Sequence, residues 1–556
     1  MTVMLSVRRF LAIANAILLG VAAAADSPNV LVLSTPGSSA PELKPLQEQG
    51  TSFAACYASP SPVKTLAAWL TGCHELRAGV VDERGGRNFI RPDVPLVSDA
   101  FKAAGYRTGL FGSWGLGDAL PFRPEDRGFV DVLVDGGGLP GDHWGNTHDS
   151  PWLRTTTGWK HHEGRLETVL STESVAWIEA RKIAKERFFL QVNLPAGCES
   201  SATTILAGLD RLGLTKDTIV VGLGLGGKPS ANSPEAQSSL VIRWPDHVAA
   251  GKTVQTPVAV YDGFPTLAGL CGAPLFRDAK PDGVDLKDAL TEPEKPQPER
   301  TFYFHPGGWP ADQVADRFKS EGFVVRRGKW RLSGLELQDL SQPADKRGNE
   351  FEKQADLAME LMTGYGAWWQ SVRPTLADRT RIIVGDTRQP VVPLTWGDWW
   401  PSRESTKANG PHQIPDHAAL KRLLADLADP EKAKLVPATS GVWKIHANQT
   451  GHYKLTLWKV PAEADAAERD RLGKLKAGPV HARSGKYEVK SQLLEGATSI
   501  SLGVDLNEGD SDLEAWFESQ AGPDALIGAF FATIERVGER KMPDPDFKAR
   551  PKEDAK

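Results

Sequence analysis

The sequence predicts an α/β fold with a mostly parallel central sheet, followed by an all-β module near the C-terminus. The first observation is the apolar run at residues 28–33, PNVLVL, which is typical of a strand buried on both faces of a parallel sheet. The second is the alternation of strand-like and helix-like segments through the first half of the chain. The third is a series of short alternating segments with Gly and Asn turns beyond residue 401, which indicates antiparallel strands.

The individual elements follow in chain order. After residues 28–33, the patterns predict helices at 95–104, 168–186 and 201–214, and strands at 107–111, 187–193 and 218–221. Apolar and polar residues alternate at 301–305 and 323–332, which predicts a hairpin with one buried face. A change of composition at 386–401 marks a boundary, and the region beyond it predicts an all-β module of roughly 130 residues.

Composition and the N-terminus bear on location. The 556 residues are 40% hydrophobic and 24% charged, as in ordinary globular proteins, and the net charge of −5 gives no support for nucleic-acid binding. Arg8 and Arg9 precede an apolar run at 10–21 and small residues at 22–25, which is the pattern of a cleavable signal peptide. No later segment offers about 18 consecutive apolar residues, so no membrane span is expected after signal removal. We therefore expect a periplasmic or secreted protein.

The stretch at residues 57–80, YASPSPVKTLAAWLTGCHELRAGV, resembles the active-site loop and the following helix of sulfatases. In that family the loop reads C-x-P-S-R or S-x-P-S-R before A-A-L-L-T-G, and its first residue becomes the formylglycine nucleophile. A gapless alignment puts Pro62 at the nucleophile, Lys64 at the motif proline and Leu66 at the motif arginine. A second register puts Val63 at the nucleophile. Neither side chain has an oxidisable thiol or hydroxyl, so the resemblance implies a loop without its nucleophile.

The family's metal-binding positions are also altered. The sulfatase strand that resembles PNVLVL ends in an Asp-Asp pair that binds the divalent cation, and here Pro36 and Gly37 occupy that pair. A later family strand ends in S-D-N-G, whose Asp and Asn complete the metal site. Leu225 and Gly226 stand at those two positions. Because Ca²⁺ prefers several charged carboxylates, the resemblance implies that neither the calcium ion nor the formylglycine cofactor is present.

The family's catalytic helpers are missing as well, although the framework is similar. The family motif F-G-K-W-H-L-G corresponds to FGSWGLG at residues 111–117, where Ser113 and Gly115 replace the lysine and the histidine. Residues 239–274 closely resemble the family segment V-P-L-I-V-R-W-P-G … D-L-x-P-T-L-L-x-L-A-G. The chain is therefore identified as a sulfatase-family member that lacks the family's charged active-site groups.

The resemblance implies an alkaline-phosphatase-like sandwich and a definite organisation. We expect a signal peptide at 1–25, a sulfatase-like α/β domain with its C-terminal subdomain at 26–375, an all-β module at 386–540 and a disordered tail at 541–556. Ligands in such folds bind beyond the carboxyl ends of the strands. Gly37, Pro62, Ser113 and Leu225 should therefore meet at that edge, without a cluster of three carboxylates.

Three functions remain open, the third being that of a purely structural exported protein. The favoured hypothesis is a catalytically inactive pseudo-sulfatase with a binding or assembly role, its partner being a sulfated glycan or an active sulfatase paralogue. The alternative is a sulfuric ester hydrolase, or a related phosphoesterase, with a relocated active site. The natural ligand and the oligomeric state do not follow from the sequence, because fold alone does not define function.

Other candidate motifs have structural interpretations. The run at 222–228 matches G-x-x-x-x-G-K, but Pro229 follows the lysine, so a turn at the end of a strand is favoured over a phosphate loop. Neither a metal site nor a displaced nucleophile is favoured for the histidines and cysteines. The histidines are predicted to lie in a polar surface loop. The cysteines are predicted to be buried thiols or to form a disulfide. The residues concerned are His143, His148, Asp149, His161, His162, Cys56 and Cys73. The tryptophans of the C-terminal module are predicted to be mostly core, with sugar binding as the alternative.

Overall fold

The computed structural model describes residues 27–37, 43–136, 141–229, 233–276, 281–310, 313–377, 380–401, 414–436, 439–473, 477–494, 496–519 and 526–541. Within these ranges, no helix is both long and apolar enough to cross a membrane. The predicted signal peptide at 1–25 and residues 542–556 of the predicted tail lie outside the described residues.

The secondary structure begins with the elements of the α/β part. Its strands are β1 (Asn29–Pro36), β2 (Thr51–Phe53), β3 (Cys56–Ala58), β4 (Arg107–Ser113), β5 (Asp131–Asp135), β6 (Trp152–Thr155), β7 (Gly158–His161), β8 (Phe188–Asn193), β9 (Thr218–Leu225), β10 (Lys228–Pro229), β11 (Ala236–Ser238), β12 (Leu240–Arg243), β13 (Lys252–Val254) and β14 (Val258–Ala259). Its α-helices are α1 (Lys44–Gln49), α2 (Pro62–Thr71), α3 (Val97–Ala103), α4 (Leu166–Ala184), α5 (Ser201–Arg211) and α6 (Gly263–Cys271).

The remaining elements are mainly strands. They are β15 (Thr301–Phe304), β16 (Val324–Arg327), β17 (Trp330–Ser333), β18 (Glu336–Asp339), β19 (Ile382–Val384), β20 (Val391–Thr395), β21 (Trp400–Pro401), β22 (Gly441–Ala447), β23 (Gly451–Trp458), β24 (Ala477–Ser484), β25 (Tyr487–Gln492), β26 (Ser499–Leu506), β27 (Gly509–Ser519), β28 (Leu526–Gly528) and β29 (Phe531–Gly538). The α-helices among them are α7 (Lys287–Thr291), α8 (Ala355–Val372), α9 (His417–Ala428), α10 (Pro430–Ala433) and α11 (Ala466–Gly473).

A ten-stranded sheet in the order β13-β2-β12-β9-β1-β8-β4-β5-β6-β7 forms the centre of the α/β part. Its middle strands, β9, β1, β8, β4 and β5, run parallel to one another. Antiparallel pairs β12–β9 and β5–β6 flank this parallel centre. The predicted α/β class with a mostly parallel sheet is confirmed. The loops that follow β1, β4, β8 and β9 consequently start from one edge of the sheet.

Alternate residues of β1 enter two different cores. Val30 and Val32 pack with α2, α3 and α6 on one face of the sheet, and Leu31 and Leu33 pack with α4 and α5 on the other. All four side chains are fully buried. Burial on both faces is the arrangement that the apolar run predicted, because successive strand residues point to opposite faces.

Strand β9 is longer than the sequence predicted. The expected strand stopped at residue 221 and the glycine run was predicted to form a turn, yet β9 pairs with β1 as far as Leu225. Gly222 also pairs with Val241 of β12, where a Cβ on the glycine would lie 2.7 Å from a Val241 methyl carbon. The turn prediction is therefore wrong up to Leu225. The glycines permit close approach of neighbouring strands rather than ending the strand.

The C-terminal region contains two further sheets, β19-β22-β27-β24-β25 and β20-β29-β23-β26, which are largely antiparallel. Their facing side chains form one core. The predicted antiparallel strands are confirmed, and the structure adds helices α9 and α11 to them. Four of the tryptophans predicted as core are buried, namely Trp396, Trp399, Trp443 and Trp516, whereas Trp400 and Trp458 are half-buried. The predicted hairpin lies in the antiparallel sheet β15-β16-β17-β18.

Candidate functional site

Strands β1 and β9 end side by side at the carboxyl edge of the central sheet. Pro36, the last residue of β1, is in register with Leu225, the last residue of β9. The Gly37 amide then donates a 2.8 Å hydrogen bond to the Leu225 carbonyl. Gly37 has a φ of 85°, a left-handed conformation that favours glycine. This bond extends the pairing of β1 with β9 by one residue, and we call these joined strand ends the closed edge.

Helix α2 begins against the same strand end. Pro62 is its first residue, and Ser61 caps it by accepting a 3.3 Å hydrogen bond from the Lys64 amide. Gly226 lies directly opposite, since a Cβ there would come within 2.7 Å of the Pro60 carbonyl oxygen and 3.3 Å of the Pro62 ring. Pro62 therefore packs against the turn that follows β9.

The ends of β4 and β8 join this edge through hydrogen bonds. The Asn193 amide nitrogen donates to the Ser113 carbonyl at 2.8 Å, and Ser34 of β1 donates to the Asn193 side-chain oxygen at 2.7 Å. The Ser113 hydroxyl also donates to Asp135, at the end of β5, at 3.0 Å. Asn193 and Ser34 are buried, so these neutral groups satisfy one another away from water.

The structure thus brings together the positions that the sequence predicted to meet. Gly37, Leu225 and Pro62 lie in a single packed group, and Ser113 joins it through two hydrogen bonds. Gly115 follows in the next turn, where its carbonyl accepts a 3.0 Å bond from Asn88. Leu66 is buried in the same apolar core as Leu225. Leu225 and Leu66 are apolar, whereas Thr35 of β1 and Lys64 of α2 are buried polar residues of the same edge.

Lys64 is the charged group of this edge. Its side chain is 93% buried (7% exposed), and its ammonium donates a 2.7 Å hydrogen bond to the carbonyl of Pro306. The adjacent His305 has its pKa lowered to about 4, mainly by burial and further by the charges of His74 and Lys64. Lys64 thereby ties the start of α2 to the loop after β15. The sequence placed it in the motif but gave no indication of this partner.

The groups at this edge do not fit the calcium ion that the family's metal site binds. Pro36, Gly37, Leu225 and Gly226 carry no side-chain oxygen, whereas Ca²⁺ requires six to eight oxygen ligands. Among the described residues, no three His, Cys, Asp or Glu side chains come together in a way that could hold a metal ion. The histidine-rich segment at 143–162 belongs to those residues, and much of it is exposed.

The cysteines do not supply a replacement nucleophile. All four cysteines are buried and form no disulfide. Burial raises the pKa of Cys73 to about 12, and it raises the pKa of Cys56 further still, with the charge of Asp262 adding to the effect. Because the thiolate is the reactive form, both groups are inert near neutral pH. The buried-thiol interpretation therefore applies to both, and neither forms a disulfide.

Asp118 is a titratable group that the sequence did not single out. It follows the FGSWGLG motif and lines a cavity of about 100 Å³ together with Asp142, His143 and Trp159. Burial raises its pKa to about 7, and neighbouring carboxylates, among them Asp398 and Asp142, contribute in the same direction. A carboxyl group that titrates near neutrality can act as a general acid or base. Only its position after the altered motif could have drawn attention to it.

Comparisons with known proteins agree with this architecture. A family model described as Sulfatase matches residues 17–196. The N-acetylgalactosamine-6-sulfatase of Mus musculus is 22% identical over 384 residues, which are 54% of this chain and 73% of the mouse protein. Arylsulfatase A of Homo sapiens is 26% identical over 371 residues, 53% of this chain and 70% of the human protein. The crystal structure of Ps i-CgsB in complex with k-i-k-neocarrahexaose aligns with a TM-score of 0.53 at 18% identity, over 63% of this chain and 94% of that chain.

Residues 17–196 are similar to the sulfatase family, and the chain has the alkaline-phosphatase-like α/β fold. The matched region contains Pro36, Gly37, Pro62 and Ser113. Leu225 lies beyond it. Its register with Pro36 connects it to the same edge of the sheet.

Proposed function

We propose that this protein is a catalytically inactive member of the sulfatase family that acts by binding, with a sulfated glycan as its partner. The observation that carries the proposal is the closed edge between β1 and β9. There the Gly37 amide bonds to the Leu225 carbonyl, and Pro62 packs against Gly226. The groups that would attack a sulfate ester and stabilise its charge have no counterpart among these residues.

The chemistry of ester hydrolysis supports inactivity. A nucleophile must form the covalent intermediate, and a cation or fixed donors must stabilise the charge that develops on oxygen. Removal of one such stabilising group costs about 10²–10³ in rate. Here Pro62 stands at the nucleophile, and Leu225 and Gly226 stand at metal-ligand positions. The N-acetylgalactosamine-6-sulfatase of Mus musculus is named for a sulfated sugar, which favours a sulfated glycan as the ligand.

The proposal includes an exported protein, since residues 1–25 have the composition of a cleavable signal peptide. An assembly role with an active sulfatase paralogue is the second form that the binding function could take. A pull-down with such a paralogue, compared with a glycan array, separates these two partners.

The test is a combined metal, activity and binding experiment on the purified full chain. We expect no stoichiometric Ca²⁺, no hydrolysis of an aryl sulfate, and binding of sulfated oligosaccharides in preference to their desulfated forms. Specific Ca²⁺ binding would raise stability by RT ln(1 + [Ca²⁺]/Kd), so the melting temperature should not change on addition of Ca²⁺. Turnover of the sulfate ester, or a failure to bind any sulfated glycan, would contradict the proposal.

A second candidate is a hydrolase with a relocated site, and Asp118 favours it. Its raised pKa suits an acid or base that works near neutrality. Under this alternative, hydrolysis of a sulfate or phosphate ester would depend on pH near 7 and would be lost in Asp118→Asn. The matched control is Asp126→Asn, which removes a carboxylate paired with Arg123 elsewhere on the same loop system. Equal rates in both variants would remove Asp118 from consideration.

A further inference from the structure

Three parts of the chain that are distant in sequence enclose a cavity of about 330 Å³ away from the closed edge. The loop at 79–91 forms one wall, and the turn at 313–316 forms another. Residues 373–377, Thr380 and Trp400 complete the lining. This volume is within the range of pockets that hold small organic ligands.

The polar lining is dominated by guanidinium groups. Arg87, Arg91 and Arg373 line the cavity, and Asp316 is the carboxylate that lines it with them. The Arg373 Nε lies 2.8 Å from Asp316, and its terminal nitrogens donate no further hydrogen bond to the residues that the structure describes. Arg91 is held through Nε and one terminal nitrogen by Asp93. Arg91 is thus fixed at one side and Arg373 is paired at Nε, and the terminal nitrogens of Arg373 can donate to an anionic oxygen pair.

Two indole rings fix the position of the third arginine. The Arg87 guanidinium lies 5.5 Å from the Trp309 ring and 5.8 Å from the Trp400 ring, and it donates to the Trp309 carbonyl. Arg87 itself is buried, whereas Trp400 is half-buried. Val314 adds an exposed apolar side chain to the opposite wall, with 67% of its surface accessible. Apolar faces beside fixed donors are the combination that binds a sugar ring with a charged substituent.

We propose that this cavity binds a sugar residue that carries an anionic group, either a carboxylate or a sulfate ester. The choice of a saccharide rests on the proposed binding function, but the site is separate from the closed edge of the sheet. The loop at 306–309 lies between the two places. Its Pro306 carbonyl accepts from Lys64 on one side, and its Trp309 carbonyl accepts from Arg87 on the other. The Gly308 amide donates to the Val81 carbonyl at 2.8 Å and holds that loop in place.

Calorimetric titration of the full chain tests the site with three probes: N-acetylgalactosamine 6-sulfate, glucuronic acid and uncharged N-acetylgalactosamine. We expect one or both acidic sugars to bind about tenfold or more tightly than the uncharged sugar, because charge-assisted hydrogen bonds contribute most of the difference. Binding of the sulfated sugar alone identifies a sulfate ester, and binding of glucuronic acid alone identifies a carboxylate. Both results support the site. Failure of both acidic sugars to bind would overturn it.

Two variants localise the binding. Arg373→Gln should weaken binding of the acidic sugars by about tenfold. Ala315→Trp should prevent their binding by filling the cavity, and it leaves every charge in place. The matched control is Arg388→Gln, since Arg388 is similarly exposed (60% against 57% for the Arg373 side chain) and is also paired with an aspartate. Arg388→Gln should leave affinity unchanged. Unaltered affinity in both cavity variants would place the ligand elsewhere.

The two proposals fail in different ways. If sulfated glycans bind equally to the wild-type chain, Arg373→Gln and Ala315→Trp, the cavity is excluded and the binding function stands. If the wild-type chain hydrolyses sulfate esters and the acidic sugars still depend on Arg373, the inactive assignment fails and the cavity stands.

Discussion

The two sides of the same sheet edge carry uncharged groups that are arranged in physically different ways. Between β1 and β9, the Gly37 amide bonds to the Leu225 carbonyl, and the Leu225 side chain belongs to the apolar core. Between β8 and β4, Asn193 and Ser113 remain polar, and a network of neutral hydrogen bonds occupies the interior. We call these the apolar side and the polar side.

The difference teaches how a charged site can be replaced. A buried charge without a partner is strongly destabilising, so metal ligands cannot persist without their metal. The substitutes must need no counter-ion. Hydrocarbon meets that condition by having no polar atoms, whereas amides and hydroxyls meet it by bonding to one another. Gln191 illustrates the second solution, because it donates to Asn193 at 2.6 Å and accepts from Trp69 at 3.0 Å.

The largest expected effect comes from returning a carboxylate to the apolar side. Leu225→Asp should lower the free energy of unfolding by about 4 kcal/mol at pH 7, because it combines lost packing with an unpaired charge. Leu225→Asn is the control, since it loses similar packing without gaining a charge. The free energies of unfolding of the two variants, measured by urea denaturation, should differ at pH 7. They should become equal near pH 4, where the introduced acid is protonated. Equal stability at pH 7, or recovery on addition of Ca²⁺, would contradict an apolar, metal-free edge.

The next effect concerns the loop that Lys64 ties to this edge. His305 has its pKa lowered from 6.5 to about 4, chiefly by burial. A lowered pKa in the folded state means that stability is complete above pH 6.5 and falls as the pH drops towards 4, because only the unfolded chain then binds the proton. The free energy of unfolding should fall by about 3 kcal/mol, because each unit of pKa shift corresponds to about 1.4 kcal/mol. His305→Gln should abolish this part of the pH dependence in denaturation curves. If the unfolding free energy of His305→Gln depended on pH as in the wild-type chain, the loop would be open to water.

A smaller effect is expected on the polar side. Asn193→Leu keeps the size of the side chain but leaves Ser34 and Gln191 without their acceptor, so we expect a loss of about 2 kcal/mol in unfolding free energy. Ser113→Ala is the comparison, since it removes only the hydroxyl bond to Asp135 and should cost about 1 kcal/mol. If Asn193→Leu were neutral or stabilising, the network would not be holding the ends of β1, β8 and β4 together.

The smallest effect is expected from rebuilding the catalytic loop by itself. The combined variant Pro62→Cys, Lys64→Pro, Thr65→Ser and Leu66→Arg should show no hydrolysis of an aryl sulfate. The metal-ligand positions would still be unsuited to a cation, and residues that act as a unit are far from additive. Mass spectrometry of the variant should first establish whether the introduced thiol is converted to formylglycine. Measurable turnover would reveal a charge-stabilising site that the apolar side lacks.

Much of the framework followed from local pattern. The apolar run before Ser34 predicted a doubly buried strand because both neighbours in the sheet are parallel and both faces are covered. The end of β9 was missed because a glycine run usually marks a turn, and only pairing with β1 and β12 keeps it extended. Helix α9 was missed although local pattern indicates it, since Asp416 caps it and Leu420, Leu424 and Leu427 recur at helical spacing. Asp118 was not predicted, since its raised pKa depends on burial by residues far along the chain.

The sequence by itself determined the family framework and the identity of the groups at the altered positions, such as Pro62 and Leu225, because these are read directly from covalent order. Only the tertiary structure decided what those groups do. The sequence does not show that Lys64 reaches the Pro306 carbonyl, because the two residues are more than two hundred positions apart. Nor does it show that one cavity is lined by Arg87, Arg373 and Trp400, which come from separate segments of the chain. The physical reason is that side-chain pairing and burial arise from the path of the whole chain through space, whereas propensity and periodicity act over a few neighbouring residues.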